Sequence, residues 1–420
     1  MAHSLNVRDA YSLINAIAGE AIGSNATIQA RDTSSFISVG QTLLEAGTEA
    51  TLNALGLVLG RTFIAVRPYQ AKFAIINAIN SGVYANRFRK ISYYHKNALP
   101  TGADNTNLAT NFSPGFDNGT NSGSSVPSQW EQHPQQPMQL CFGGSSEWQY
   151  ALTVFEHQLK VAFRSEADFI EFMNGIMVAV ANDLEVEREA YARATVLNYI
   201  GGLFHFESAG QTAVDMRVAY NTFYGTSYTA QQLLTTYLDS FLAFFVATVK
   251  MYSDQMENYD TLHHVFPAGP NGEVILRTTP KSRQKMLMLS KFWRIAEATV
   301  MPQIFNTEYL DINNFEKVLY WQNVNEPEKV SITAAIPDES DWTSVQTSTD
   351  AITISYVLGI LFDEDALMVD FQMDDVYSTS IEARKRYRNL WYTIRKSGIN
   401  DFTEKGILFY MGGSEEEGCE

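Results

Sequence analysis

The chain has 420 residues, of which 45% are hydrophobic, enough to bury a large core in two or three lobes. Its formal net charge of −17 at pH 7 argues against a nucleic-acid-binding protein, because such proteins need Lys and Arg to displace counterions from phosphates. The two cysteines, Cys141 and Cys419, lie far apart in sequence and predict no disulfide framework.

Neither a signal peptide nor a membrane-spanning segment is predicted. Residues 1–10 lack the basic start and the apolar region of a signal peptide. The densest apolar run, Phe241 to Val249, is well short of the ~20 residues that a membrane-spanning helix needs. We therefore expect the protein to stay in the cytoplasm in which it is made.

Two amphipathic segments are predicted near the N-terminus. Apolar residues recur at spacings of three and four from Val7 to Ala21, which is typical of a helix. Residues 24–40 show no periodicity, and residues 47–60 carry leucines on one side. This region either lies on another part of the assembly or forms a lobe packed on its own core, and the sequence leaves both possibilities open.

A long irregular loop is predicted after a strand at residues 84–94, on which Arg87 and Arg89 form a polar face. No Lys or Arg occurs between Asn97 and Leu159, and residues 101–128 consist mainly of Asn, Gly, Ser and Thr. Such a segment lacks the apolar side chains to fold compactly, so it is either ordered by contact with a partner, a disordered surface insertion, or a sugar-binding loop. Residues 150–163 are predicted to return toward the body, partly as a strand.

The longest helical pattern follows Ser165, whose Ser-Glu-Ala-Asp motif resembles a capping box. Apolar residues repeat from Phe169 to Leu197, and Gly201-Gly202 is predicted to end the helix. Such a helix of roughly 35 residues would span about 50 Å. A second apolar helix is predicted from Ala230 to Tyr252, with one face toward a core.

Three polar groups invite a metal assignment, but their spacing does not fit one. Residues two apart do not share a helix face, adjacent histidines cannot chelate from one face, and the acidic cluster lacks calcium-loop spacing. We interpret Glu185, Glu187 and Glu189 as a solvated helix face and His263 and His264 as turn histidines. We interpret the acidic cluster as a solvated turn; it consists of Asp363, Glu364, Asp365, Asp370, Asp374 and Asp375. No phosphate-binding loop, nucleophile elbow or zinc-binding cysteine pair occurs, so we predict no catalytic residue, cofactor or metal.

Two apolar stretches complete the predicted core. In the segment RTTPKSRQKMLMLSKF, the core positions are expected to be Met286, Leu287 and Leu289, and the exposed positions Lys281, Arg283 and Lys285. The C-terminal sixty residues predict two successive strand pairs: ITISYVLGILF with ALMVDF, and residues 388–395 with 406–411. Alternation places Leu390, Tyr392 and Ile394 on one face and Trp391, Thr393 and Arg395 on the other.

This order of parts resembles the major capsid proteins of tailed bacteriophages, most of all those of small podoviruses; herpesvirus shells and encapsulin nanocompartments share that fold. The likeness rests on FDEDAL, the Arg-rich connection and aromatic strand after it, TSSFISVGQTLLEAGTEATLNALGLVLGRTFIAVRPY, and FNTEYLDINNFEKVLYW. It implies a mixed α+β fold with an N-arm (1–60), an E-loop (85–159), an axial domain (206–378), an acidic tail (414–420), and a discontinuous peripheral domain with a long spine helix (61–84, 160–205 and 379–413). It also implies contact between Trp391 or Tyr392 and the helix that carries Phe169 and Met173.

The same resemblance implies the function. We expect a non-enzymatic subunit that self-assembles as pentamers and hexamers into an icosahedral head, with a scaffolding protein and a portal as partners. The head would enclose double-stranded DNA without sequence-specific binding and without a membrane, and it would be assembled in the host cytoplasm. Contacts between subunits are expected at Arg61, Arg67, Asn105, Asn111, Asn118, Gly119 and Trp130.

Two alternatives remain open. The first is an encapsulin-like nanocompartment shell that encloses a cargo enzyme. The second is a soluble metal-dependent enzyme that uses the carboxylate cluster around Asp363.

Overall fold

The structure, a computed structural model, describes residues 7–23, 29–46, 50–51, 54–55, 73, 76–78, 87–96, 134–143, 146–269, 272–299, 314–339, 342, 344–348, 351–382 and 384–413. The helices in these ranges are α1 (Val7–Ile22), α2 (Thr33–Ala46), α3 (Glu156–Ala162), α4 (Glu166–His205), α5 (Glu207–Gly210), α6 (Met216–Tyr224), α7 (Ala230–Thr235), α8 (Leu238–Glu257) and α9 (Ser290–Thr299). The strands are β1 (Asn77–Ala78), β2 (Arg87–Tyr93), β3 (Pro137–Gly143), β4 (Ser146–Phe155), β5 (Ala213–Asp215), β6 (Gln284–Leu289), β7 (Asn314–Val318), β8 (Val330–Ile332), β9 (Ala335–Pro337), β10 (Val345–Thr347), β11 (Ile352–Asp363), β12 (Leu367–Ser378), β13 (Tyr387–Asn400) and β14 (Gly406–Gly413).

Two sheets organise the described strands. One has the order β1-β12-β13-β4, and the other has the order β5-β14-β11-β6-β7, with β8 paired to β11. Two separate ribbons are formed by β2 with β3 and by β9 with β10. The chain therefore has the mixed α+β architecture that the sequence predicts.

The predicted pairing of the last four strands is wrong. The strand β12 pairs antiparallel with β13, and β11 pairs antiparallel with β14, so the chain leaves one sheet after β11 and returns to it only at β14. Burial explains the difference. Residues 406–411 are buried throughout, as in a strand covered on both faces, whereas β13 largely alternates and its Leu390, Tyr392 and Ile394 are buried as predicted.

The long helix α4 connects two hydrophobic cores. Its N-terminal half places Phe169, Met173, Val180 and Leu184 in a core with α1, α2, β4 and β13. Its C-terminal half places Val196, Tyr199 and Leu203 in the larger core beneath the six-stranded sheet and α8. Tyr392 lies in the same core as Phe169 and Met173, which confirms the predicted contact with this helix.

Helix α4 does not end at Gly201-Gly202 but continues to His205. The glycines are needed for close packing, because a Cβ on Gly202 would lie 2.1 Å from Cζ of Phe402 and one on Gly201 would lie 2.9 Å from Cβ of Ala334. The predicted N-terminal cap is confirmed: the Ser165 side chain accepts a hydrogen bond from the Asp168 backbone N–H at 3.2 Å.

The N-terminal helices pack on the body of their own chain in this structure. Buried residues of α1 and α2 share a core with α4, and the Tyr11 hydroxyl donates a hydrogen bond to Glu166 on that helix. Helix α2 begins at Thr33, so the prediction of an irregular segment over residues 24–40 is wrong for its second half. The extension of residues 1–60 over a neighbouring subunit stays a prediction.

Two further predicted elements are divided in the structure. Residues 150–163 form the end of β4 followed by α3. The predicted helix at 230–252 is broken between α7 and α8, where Tyr237 leaves helical geometry and stacks on Tyr228 with ring centroids 4.0 Å apart. Tertiary contact of one aromatic pair therefore overrides the helical periodicity.

Candidate functional site

The loop at residues 401–405, called here the junction loop, connects β13 in one sheet to β14 in the other. Asp401, Thr403 and Lys405 are buried although all three are polar, and each has hydrogen-bond partners. Buried polar groups are costly unless they are paired, so a cluster of this kind fixes the elements that supply the partners.

Lys90 on β2 reaches into the junction loop. Its Nζ donates to Oγ1 of Thr403 at 2.9 Å and pairs with Oδ2 of Asp401 and with Oε1 of Glu404, the last at 2.6 Å. Bonds between ionised donors and acceptors are roughly twice as strong as those between neutral groups. One lysine thus ties the first strand of the β2–β3 ribbon to the connection between the two sheets.

Arg277 makes a second link at the same place. Its Nε donates to the Thr403 carbonyl oxygen at 3.1 Å, and its Nη2 donates to Oγ of Ser92 on β2 at 2.6 Å. Burial raises the pKa of the Glu404 carboxyl, and the positive charges of Lys90 and Arg277 oppose that rise. The ribbon is therefore bound to the body through both Lys90 and Ser92.

Lys405 fixes the other side of the junction loop. The side chain has no exposed surface, and Nζ donates to the Asn258 carbonyl oxygen at 2.8 Å and to Oδ1 of Asp260 at 2.7 Å. These acceptors lie just beyond the end of α8. The junction loop thus holds β2, α8 and both sheets together.

The ribbon also has a small apolar core of its own. Tyr94, Met138, Leu140 and Ile275 are buried together, and the Tyr94 hydroxyl donates to the Pro267 carbonyl oxygen at 3.0 Å. The strands run antiparallel from Arg87 opposite Gly143 to Tyr93 opposite Pro137. The ribbon lies within the predicted E-loop (85–159), and its described residues flank the segment 97–133, which lies outside the described residues.

Neither Lys90 nor the junction loop was predicted from the sequence. The available signal was the alternation of β2, which places Lys90, Ser92 and Tyr94 on the face opposite Arg89. A charged residue on the inward face of a half-buried strand needs a partner, but the partners lie about 300 residues away in sequence.

The histidines predicted as turn residues are buried and bonded to oxygens. Nδ1 of His263 contacts the Gln211 carbonyl oxygen at 2.9 Å, and Nε2 of His264 contacts the Ile275 carbonyl oxygen at 3.0 Å. Burial lowers the pKa of both rings, which favours their neutral forms. They therefore act as internal hydrogen-bonding groups next to the junction loop.

The acidic turn after β11 is not simply solvated. Asp363 is buried, and its Oδ1 lies 3.6 Å from Arg283 Nη2, while Glu364 Oε1 lies 2.9 Å from Arg283 Nε. Asp365 pairs with the same guanidinium. Burial raises the pKa of Asp363. The side chains of residues 370–376, including Asp370, Asp374 and Asp375, lie outside the described part.

Lys285 is buried on β6, so the prediction that it is exposed is wrong, while Met286, Leu287 and Leu289 are buried as predicted. Every residue of β6 is buried because the strand lies inside the sheet between β11 and β7. The pKa of Lys285 is lowered by burial, against the attraction of the acidic turn.

The three glutamates of α4 are paired rather than freely solvated. Glu187 lies 2.6 Å from Lys396 Nζ, Glu189 lies 2.8 Å from Arg193 Nη2, and Glu185 is buried near Arg188. In the part of the chain that the structure describes, no group of three or more His, Cys, Asp or Glu residues could hold a metal ion.

Two further predictions concern contacts and membranes. The predicted inter-subunit contact residues lie outside the described residues; they are Arg61, Arg67, Asn105, Asn111, Asn118, Gly119 and Trp130. None of the described helices is both long and apolar enough to span a bilayer.

Comparison with known proteins identifies the family. A family model described as the Phi29-like phage major capsid protein matches residues 141–410, well over half of the chain. The chain is therefore a structural subunit of a phage capsid, which places it in the virion shell and disfavours the nanocompartment alternative. It belongs to the Phi29-like phage major capsid protein family. No curated protein sequence matches the chain.

Solved structures of low sequence identity are similar to this chain. They include the capsid of Staphylococcus phage Andhra (9% identity, 82% of this chain and 85% of that chain, TM-score 0.48) and a structure of the head fiber and inner core protein of native bacteriophage P68 (9%, 82% and 85%, 0.45). Another is the mature capsid of bacteriophage PhiM1 (7%, 82% and 88%, 0.41). The family assignment rests on the match over residues 141–410.

Proposed function

We propose that this capsid subunit assembles with copies of itself as pentamers and hexamers into an icosahedral head of the podovirus type. The head encloses double-stranded DNA without sequence-specific binding, and a scaffolding protein and a portal take part in its assembly. The net charge of −17 supports an inner wall that does not grip the DNA, because like charges repel.

We propose that residues 85–159 act as an E-loop that reaches over an adjacent subunit. The observation that carries this proposal is the anchored β2–β3 ribbon. Lys90 and Arg277 bind the ribbon to the junction loop, which supports a fixed base for the loop. A fixed base lowers the entropy that the segment loses when it binds a neighbour. The expected contacts at Asn105, Asn111, Asn118, Gly119 and Trp130 belong to this segment.

The remaining domain assignments follow the same plan. Residues 1–60 form the N-arm, and residues 61–84, 160–205 and 379–413 form the peripheral domain, with α4 as its spine helix. Residues 206–378 form the axial domain. Because α4 contributes to both hydrophobic cores, it can act as a rigid element that preserves the shape of the subunit. The contacts between subunits can then differ from one position in the shell to another.

The direct test replaces residues 105–125 by a Gly/Ser segment of equal length, which preserves the length of the connection but removes the side chains of the loop. We expect a folded chain that does not form shells, measured by circular dichroism, sedimentation velocity and negative-stain microscopy. Shell formation at the yield of the parent protein would show that the loop is not an assembly arm.

A second pair of variants tests the anchor. Lys90→Met leaves Asp401 and Glu404 without their shared cation, and we expect fewer shells. Arg89→Met is the matched control, because Arg89 directly precedes Lys90 in β2 and is exposed on the opposite face. Equal shell yields for the two variants would show that assembly does not depend on the pairing of Lys90 with the junction loop.

A further inference from the structure

The segment between Arg217 and Lys250 is nearly free of charge. Asp239 is the only charged residue between these two positions, although charged residues make up 18% of the chain. The segment folds as α6, α7 and most of α8, on the larger core beneath the six-stranded sheet. Its inner side chains belong to that core, and Asp239 is the one charged residue on its outer surface between Arg217 and Lys250.

Aromatic side chains form one part of the outer surface of this segment, and Tyr228 and Phe244 among them also pack against the core. Phe223 is 71% exposed, Tyr224 is 49% exposed, and the ring of each contacts that of Phe244 at centroid distances of 5.6 and 6.1 Å. Tyr228 and Tyr237 continue the surface as a stacked pair. We call these five residues the neutral aromatic face.

The neutral aromatic face is held rigidly by the fold. The Asn221 side chain donates to the Tyr228 carbonyl oxygen at 2.9 Å and accepts from the Tyr228 N–H at 3.0 Å, which fixes the turn between α6 and α7. Buried Tyr220 packs against Tyr224 and Phe244 and bonds to Ser240 at 2.8 Å. Rigid aromatic side chains lose little conformational entropy when they are buried by a partner.

We propose that the neutral aromatic face is a contact surface between two copies of this chain, an inference that rests on the proposed assembly of copies into a shell. Enrichment in Tyr and Phe with depletion of charge is the composition of the centre of a protein interface. Exposed apolar surface of this kind in a soluble protein marks an interaction site.

The net charge of the chain favours a second copy of it as the partner that covers the neutral aromatic face. A capsid shell brings many copies of this chain together, and each copy carries a net charge of −17, so copies repel at most surfaces. Close approach costs least where charge is absent, and Asp239 is the only formal charge in the segment that carries the face. Burial of the aromatic side chains then supplies attraction between two copies, against the repulsion between their negatively charged surfaces.

The test introduces a charge at the most exposed residue of the face. Phe223→Glu places a carboxylate on the second-to-last residue of α6, and Val161→Glu is the matched control, because Val161 is 60% exposed at the second-to-last position of α3. Circular dichroism first establishes that both variants fold. We expect the assembled fraction of Phe223→Glu to fall by about 10-fold or more relative to Val161→Glu in sedimentation velocity, because burying an unpaired charge opposes binding. Equal assembled fractions, with the parent protein and Val161→Glu both forming shells, would overturn the proposal. A parent protein that forms no shells would instead overturn the proposed assembly on which it rests.

Hydrogen–deuterium exchange supplies an independent readout in the parent protein. We expect the amides of residues 220–226 to exchange more slowly in shells of the purified chain than in the unassembled chain. No difference between the two states would overturn the proposal. Slower exchange only after addition of a second protein would also overturn it, because the occupant would then not be a copy of this chain.

Discussion

Gly202 and Gly175 lie on the same helix, α4, but in different surroundings. A Cβ on Gly202 would lie 2.1 Å from Cζ and 2.3 Å from Cε1 of Phe402, whereas a Cβ on Gly175 would meet no atom within 4 Å other than its neighbours and the backbone of its own helix. The Phe402 ring is confined, because it is buried and stacked on Tyr199 with centroids 5.4 Å apart. The two Gly→Ala substitutions therefore share the same change in helix propensity and differ in packing.

The expected magnitudes follow from this difference. An alanine in place of a helical glycine stabilises by up to about 1 kcal/mol, and this gain applies to both sites. Overpacking a core costs about 1–3 kcal/mol, and the 2.1 Å approach places Gly202→Ala at the upper end of that range. We expect Gly175→Ala to stabilise by up to about 1 kcal/mol and Gly202→Ala to destabilise by about 2 kcal/mol.

The assay is urea unfolding of the unassembled chain, followed by far-ultraviolet circular dichroism. The predicted order of unfolding midpoints is Gly175→Ala, then the parent protein, then Gly202→Ala. Equal stabilisation by the two substitutions would refute the packing of Phe402 against α4. A strongly destabilised Gly175→Ala would refute the open surroundings of that position.

Three further predictions concern charge and pH. Lys405→Met removes a fully buried ammonium from the Asn258 carbonyl oxygen and Asp260, and it should lower the free energy of unfolding by about 2 kcal/mol; an unchanged urea midpoint would contradict the pairing. Burial lowers the pKa of His263 and His264 in the folded chain below the ordinary 6.5. Their contribution to stability is therefore present above the unfolded pKa and is lost as pH falls through the folded pKa. Ring nitrogen chemical shifts measured against pH would contradict this burial if both rings protonated at or above 6.5. Added salt should promote assembly of copies that each carry −17, because the Debye length falls from about 30 Å at 0.01 M to about 10 Å at 0.1 M, and a fall in light scattering over that range would contradict net repulsion.

Local sequence patterns predicted the elements better than their partners. Helical periodicity and the Ser165 cap correctly predicted α4 and its start, and alternation predicted the buried face of β13. The predicted end of α4 was wrong because a pair of glycines can have two structural roles. It can terminate a helix, or it can admit a ring such as Phe402, and only the fold decides between them.

The pairing of β11 with β14 and the junction loop could not be predicted for a related reason. Both depend on contacts between residues far apart in sequence, such as Lys90 with Asp401, and local periodicity carries no signal for them. Burial of Lys285 and Asp363 was missed because charge usually indicates exposure, while here the strands around them cover the positions. The resemblance to capsid proteins, carried by segments spread along the chain, was confirmed by the family match.

Electron cryomicroscopy of the purified chain under assembly conditions tests the central claim most directly. We predict closed shells in which residues 97–133 contact an adjacent subunit, while Lys90 remains paired with the junction loop of its own subunit and the neutral aromatic face is covered by another copy. A chain that stays strictly monomeric under all conditions, including with a scaffolding protein, would contradict assembly. Shells in which residues 97–133 contact only their own subunit would contradict the role proposed for the loop.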